Sequence, residues 1–129
     1  MPIRNVVNPV YTPGETPSIL ATVALAAGRF TAVTAAGVDT ATGLTQAGYP
    51  AAAADKHSGV TLYDVPAGSE GVVQRTGVVR VIAAATITAG GYVGTDAQGR
   101  ATVAASRAVA LGEAWSNAAA GDPVHVALF

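Results

Sequence analysis

Residues 59–73 (GVTLYDVPAGSEGVV) return as residues 112–126 (GEAWSNAAAGDPVHV) at a constant offset of 53. Gly59 matches Gly112, Leu62 matches Trp115, Asp64 matches Asn117, Ala67-Gly68 matches Ala120-Gly121, and Val73 matches Val126. Each copy reads as strand, tight turn, strand, because apolar residues flank a small-residue stretch that ends in Ala-Gly. Glycine at that point supplies the positive φ a sharp reversal needs. The same turn recurs at Ala27-Gly28-Arg29-Phe30 and at Ala89-Gly90-Gly91-Tyr92. Four copies without one fixed period predict a pseudo-repeated β unit closing on itself, since a solenoid repeats at a constant spacing.

Outward from this repeat, the runs 60–65, 72–74, 77–82, 92–95, 101–104, 109–115 and 124–129 are rich in Val, Thr and aromatics and bounded by Gly, Pro, Asp or Asn. Residues 19–27 alternate as a half-buried strand ending in a turn. In the last run Val124, Val126 and Leu128 share one face and His125 and Phe129 the other, which puts His125 at a rim or interface. The stretch 96–100 (DAQGR) predicts a hairpin loop with Gly99 left-handed. Two stretches resist the pattern. Four Ala at 51–54 suit one helical turn, and 35–49 lacks a clean period and reads as loop with at most one strand. Pro2, Pro9, Pro13 and Pro17 hold residues 2–17 extended. The expected fold class is therefore all-β, a small β-barrel/β-sandwich over residues 19–129 with an extended N-terminal arm over 1–18.

Composition sets the chemistry. The 129 residues include 29 Ala, 18 Val, 15 Gly and 14 Thr, so the core is thin and closely packed. Without Cys there is no disulfide frame and no thiolate site. Seven basic residues stand against eight acidic ones with no basic stripe, which argues against nucleic acid as a partner. The apolar stretch 18–28 (SILATVALAAG) is far shorter than the ~20 residues a bilayer requires, and it lacks the basic flank of a signal peptide. No membrane partner is expected.

The search for a reactive site returns little. Residues 94–101 (GTDAQGRA) have P-loop glycine spacing but put Arg100 and Ala101 where Lys and Ser/Thr must reach phosphate and magnesium. Asp55-Lys56-His57-Ser58 holds the residue types of a hydrolytic triad, yet neighbours in sequence cannot all aim at one another, so a solvated loop is the reading. Two His and scattered carboxylates lack metal-ligand spacing. Asp64 and Glu70 sit beside the repeated turn, where Asp caps its own backbone. Four Tyr, Trp115 and two Phe, not interleaved with Arg, do not make a stacking platform. Arg75 and Arg80 flank the Thr76-Gly77 turn and suit intersubunit ion pairs or a solvated surface equally. The chain is expected to be no enzyme, with no catalytic residues, cofactor or metal.

The order of these motifs resembles a known group. The arm with Tyr11-Thr12-Pro13-Gly14-Glu15, the strand ending in Ala27-Gly28-Arg29-Phe30, the module from Gly59 through Asp64-Val65-Pro66-Ala67-Gly68 to Gly77-Val78-Val79-Arg80-Val81, the segment Ile87-Thr88-Ala89-Gly90-Gly91 and the closing 111–126 together look like the small capsid decoration (cement, head-stabilising) proteins of tailed bacteriophages. That resemblance implies a non-enzymatic structural protein on the outer surface of the virion capsid. It would bind the major capsid protein, often as a homotrimer, and stabilise contacts between coat subunits. It carries over no catalytic residues. An extended arm can add a strand to a neighbour's sheet edge, which nominates Ile3, Arg4, Val6, Val7 and Tyr11 as capsid or intersubunit contacts. A thin Ala/Val core agrees with stability drawn partly from an oligomer, because Ala buries few CH₂ groups at ~0.8 kcal/mol each. The alternative is another virion β module, tail or fibre, with glycan-binding capacity.

Overall fold

A computed structural model describes residues 16–54 and 56–129. The fold is all-β. Among the described residues ten strands run in order: β1 (Ser18–Ala21), β2 (Phe30–Val38), β3 (Thr45–Gly48), β4 (Gly59–Thr61), β5 (Glu70–Gln74), β6 (Val78–Ile82), β7 (Tyr92–Thr95), β8 (Ala101–Val103), β9 (Gly112–Ala114) and β10 (Pro123–Leu128). A 3-10 turn at Arg107–Val109 precedes β9. Strands β1-β3-β2-β4-β5 close a barrel, and β6-β10-β9-β7-β8 form a second five-stranded sheet.

These two units are one design built twice. Ile19 pairs with Gly71 in the first and Val81 with Val124 in the second, 62 and 53 residues further on. Phe30 opposite Val60 becomes Tyr92 opposite Glu113, and Thr61 opposite Val73 becomes Ala114 opposite Val126. The first barrel closes by parallel pairing of β1 with β3, including Ala21 with Ala47. Its counterpart is an isolated parallel bridge from Ala83, just past β6, to Ala101 of β8. Even the connections repeat. Leu25 and Val65 exchange two backbone hydrogen bonds, as do Ile87 and Ala118, and the Gly68 and Gly121 amides donate to Ala21 and Ala83.

Burial follows the same map. Ile19, Ala21, Leu25, Ala47, Val65 and Val73 form the first core, and their counterparts Val81, Ala83, Ile87, Ala101, Ala118 and Val126 all belong to the second. Along β10, Val124 and Val126 are buried while His125 and Phe129 face outward, as alternation requires. Phe30 and Val60, from the outer wall of the first barrel, join the second core, so that core draws residues from both units.

Four local readings need correction. Residues 35–49 hold a hairpin, with β2 reaching Val38 and β3 starting at Thr45, and a register shift between Val33 and Val38 destroys the sequence period. The Ala stretch 51–54 is a tight turn with Ala53 at φ 58, not a helical turn, because the Ala53 amide donates to Thr95 of the second unit. The run from Ile19 ends as a strand at Ala21, and Leu25 resumes pairing only as a bridge to Val65. Likewise 109–115 begins in the 3-10 turn rather than in β9.

Candidate interaction surface

Side chains on the outer wall of the second unit line up in rows because its strands are in register. Val78, Ala127, Glu113 and Tyr92 sit directly opposite one another across β6, β10, β9 and β7. Two residues along, Arg80 pairs with His125, and Trp115 donates its amide to the His125 carbonyl. Alternation turns these residues outward, between the buried Val79, Val93, Ala114 and Val126.

Aromatic groups gather here although the sequence spaces them widely. The rings of Tyr92 and Phe129 meet edge to face, with centroids 6.3 Å apart. The Arg107 guanidinium lies 3.8 Å over the Phe129 ring, a cation–π contact. Trp115, 61% exposed, donates its indole N–H to Glu113 Oε1 at 3.0 Å. The aromatics are not interleaved with Arg in the sequence, but β7, the 3-10 turn and the C-terminal end bring Tyr92, Arg107 and Phe129 together. An exposed cluster of large aromatic and cationic side chains is the composition of a recognition surface.

The equivalent wall of the first unit is covered. Phe30 and Val60, counterparts of Tyr92 and Glu113, are fully buried. They pack into the second core, His57 meets the Phe30 ring, and the turn between β7 and β8 bonds the Phe30 backbone. The Phe30 amide donates to the Gly99 carbonyl at 2.7 Å, and Arg29 Nη1 donates to the Gln98 carbonyl at 3.1 Å. A β-carbon on Gly99 would strike the Phe30 carbonyl, and its φ of +74 independently demands glycine. Asp96 shapes the turn by accepting from the Gln98 and Arg100 amides and from Arg100 Nε. Burial alone would raise its pKa, but these hydrogen bonds and the Arg100 charge outweigh it and hold the carboxyl below its ordinary value.

His57 is not part of a solvated loop. Its ring meets Phe30 edge to face at 5.5 Å, and its Nδ1 is buried with no hydrogen-bond partner among the described residues. Burial, then the Arg75 charge, lowers its pKa to about 4 against a hydrogen bond to the Gly59 backbone that acts the other way. Ser58 is likewise engaged, its Oγ 2.7 Å from Thr31 Oγ1. Asp64 reaches further than its own turn. It accepts from the Ala27 amide at 2.8 Å, and Asn117 accepts from Ala89 at 2.8 Å, the same clamp in each unit.

The fold is shared with a known protein. The chain is similar in structure to the head fibre gp8.5 N base of bacteriophage phi29, with a TM-score of 0.75 and 20% identity over 89% of this chain and 93% of that one. At that identity the likeness is one of fold. No protein-family model and no curated protein matches the sequence.

Ile3, Arg4, Val6, Val7 and Tyr11, the arm residues nominated as contacts, lie outside the described residues. Among the described residues no cluster of His, Asp and Glu could hold a metal ion, and no helix is long and apolar enough to cross a membrane. Sequence alternation put His125 and Phe129 on the outer face, but the pairing of Tyr92 with Glu113 that extends this face came only with strand register.

Proposed function

We propose that the protein is a structural component of a phage virion, seated on the outer surface of the head, where it binds the major capsid protein and holds neighbouring coat subunits together. The observation that carries the reading is the fold likeness to a head fibre base along nearly the full length of both chains. The motif order, which resembles capsid decoration proteins, supports the same location by an independent route. Binding many equivalent sites on an assembled shell, and not free coat protein, stabilises the shell by mass action even when each contact is modest. The arm, residues 3–11, supplies backbone pairing to a coat sheet edge, and the protein acts as a homotrimer without nucleic acid, membrane, metal or cofactor.

A second reading, that the chain is a fibre module standing on the head, is favoured by the neighbour itself, which is the base of a fibre. Heads lacking the protein separate the two. Adding purified protein raises the temperature at which such heads rupture if it cements coat subunits. It fills the sites without moving that temperature if it only anchors a fibre. Failure to bind heads at all contradicts both.

A further inference from the structure

Strands β1 and β5 pair in a register that does not stop where the strands do. Ser18 lies opposite Val72 and Ile19 opposite Gly71, and one step before β1 the Val73 amide donates to the Pro17 carbonyl at 3.0 Å. Counted onward, that register sets Thr16 opposite Gln74 and Glu15 opposite Arg75. Hydrogen-bonded and non-hydrogen-bonded pairs alternate along an antiparallel ladder. Pro17 with Val73 is a hydrogen-bonded pair, so the next such pair is Glu15 with Arg75. The Arg75 N–H and C=O therefore turn toward the line of β1, and among the described residues nothing bonds either group.

One end of the first barrel is marked by the residues just before β1 and β4, at the start of β3 and just after β5. A cavity of about 190 Å³ lies there, walled by Pro17, Ile19 and Val33 and edged with the polar Thr45, His57 and Arg75. Pro17 and Ile19 are buried while Thr16 between this face and the arm is exposed. Arg75 stands in step with the buried Gly71 and Val73 of β5, which puts it on the same face. It is exposed and, among the described residues, has no salt-bridge partner. Glu15 is the one acidic residue before Asp39.

We propose that the chain's own Glu15 seats at this cavity: β1 continues along β5 as far as residue 15, and the Glu15 carboxylate pairs with the Arg75 guanidinium at the mouth of the barrel. Residue 15 shares the alternation of Pro17 and Ile19, so its side chain falls on the cavity face. The occupant is the chain's own arm because the segment outside the described residues ends at residue 15, with Thr16 alone between it and Pro17, whose carbonyl is already fixed to Val73. Consecutive Cα atoms are about 3.8 Å apart, so Glu15 stays within reach of the cavity, and an arm from another copy has no such tether. The planar guanidinium gives a carboxylate two parallel hydrogen bonds as well as charge. Seating fixes the root of the arm. Pro13-Gly14, a pair suited to the centre of a type II turn, is then where the arm swings away from the barrel. A defined direction for the arm's contact with coat protein follows, and that consequence rests on the proposed function, whereas the pairing itself does not.

Cysteine pairs test the seat, because the chain has no Cys of its own. Residues opposite each other in a hydrogen-bonded pair have Cα atoms about 5.5 Å apart, within disulfide reach. With oxidised glutathione, the full chain carrying Glu15→Cys and Arg75→Cys should close a disulfide within one molecule, read by intact mass and peptide mapping. Glu15→Cys with Arg80→Cys, on β6 of the second sheet, should stay reduced, and circular dichroism checks that both variants fold. A disulfide between two copies overturns the chain's own arm as the occupant. No disulfide, or equal oxidation of the two variants, overturns the register. Charge is tested separately by amide hydrogen exchange at position 75. The unmodified chain should protect that amide, Arg75→Glu should lose the protection, and adding Glu15→Arg should restore it. A freely exchanging amide in the unmodified chain overturns the backbone pairing, and a charge swap that fails to restore protection overturns the ion pair. Neither experiment uses heads, so a chain that passes both and still fails to bind heads contradicts the capsid reading alone.

Discussion

Val65 occupies the space that a side chain at Gly71 would need: a β-carbon built on Gly71 falls inside the Val65 isopropyl group. At the equivalent positions of the second unit the sizes are exchanged, with Ala118 in place of Val65 and Val124 in place of Gly71. One large and one small residue fill the same volume in both cores, from opposite strands.

This exchange is testable by transplantation. Gly71→Val alone overpacks the first core and should cost about 1–3 kcal/mol. Val65→Ala with Gly71→Val, copying the second unit, should recover most of that loss. Urea denaturation of the single and double variants reads the coupling, and additive costs would contradict the shared-volume account.

The side-chain clamps at Asp64 and Asn117 should each contribute a normal hydrogen bond. Asp64→Ala and Asn117→Ala remove the acceptors for the Ala27 and Ala89 amides and should each cost about 0.5–1.5 kcal/mol. Asp64→Asn retains an acceptor and should lie close to wild type. Thermal melts of the three variants provide the comparison.

Glycines at turns divide by what surrounds them. Gly68 and Gly121 take φ +79 and +89 with open space around a built β-carbon, so a β-branched residue there meets backbone strain alone, about 1–3 kcal/mol. Gly99→Ala adds a collision with the Phe30 backbone to its strained φ, and should be the costliest of the three while also loosening the contact between units. Equal destabilisation at Gly68 and Gly99 would contradict that contact.

Acid should destabilise the protein through His57. Its folded pKa of about 4 lies below the ordinary 6.5, so the unfolded chain binds the proton more readily. Stability from keeping the ring neutral is complete above 6.5 and is lost as pH falls toward 4. The loss should be on the order of 1–3 kcal/mol, and His57→Phe should flatten the melting temperature between pH 7 and pH 4.5 relative to wild type. Asp96, held below its ordinary value, loses its contribution only at lower pH as it protonates.

How much of this was legible in the sequence follows from where the chain signals its structure locally. Residues 59–73 and 112–126 announce themselves because their turns need Gly68 and Gly121 and their strands alternate. The matching halves around β1–β2 and β6–β7 share geometry without sharing side chains, Phe30 against Tyr92 and Ile19 against Val81, so an offset of 62 leaves little trace. The β2–β3 hairpin was unreadable because its bulge breaks the two-residue period. The aromatic face needs strand register, which decides that Tyr92 stands beside Glu113 and which no local pattern encodes. His57 looked solvated among Asp55, Lys56 and Ser58, and only packing against Phe30, 27 residues away, buries it.

The arm follows a separate logic, since residues 1–11 carry the nominated coat contacts. Deleting them should leave the melting temperature close to that of the full chain and sharply lower occupancy on heads, measured by gel densitometry of repurified particles. Unchanged occupancy would remove the arm from the mechanism.

The most direct test of the account is a cryo-electron microscopy reconstruction of mature heads purified from the source lysate. The account predicts density matching the paired five-stranded units on the outer surface, at symmetric positions that bridge adjacent coat subunits. Heads with a bare outer surface, in virions that contain the protein elsewhere, would contradict it.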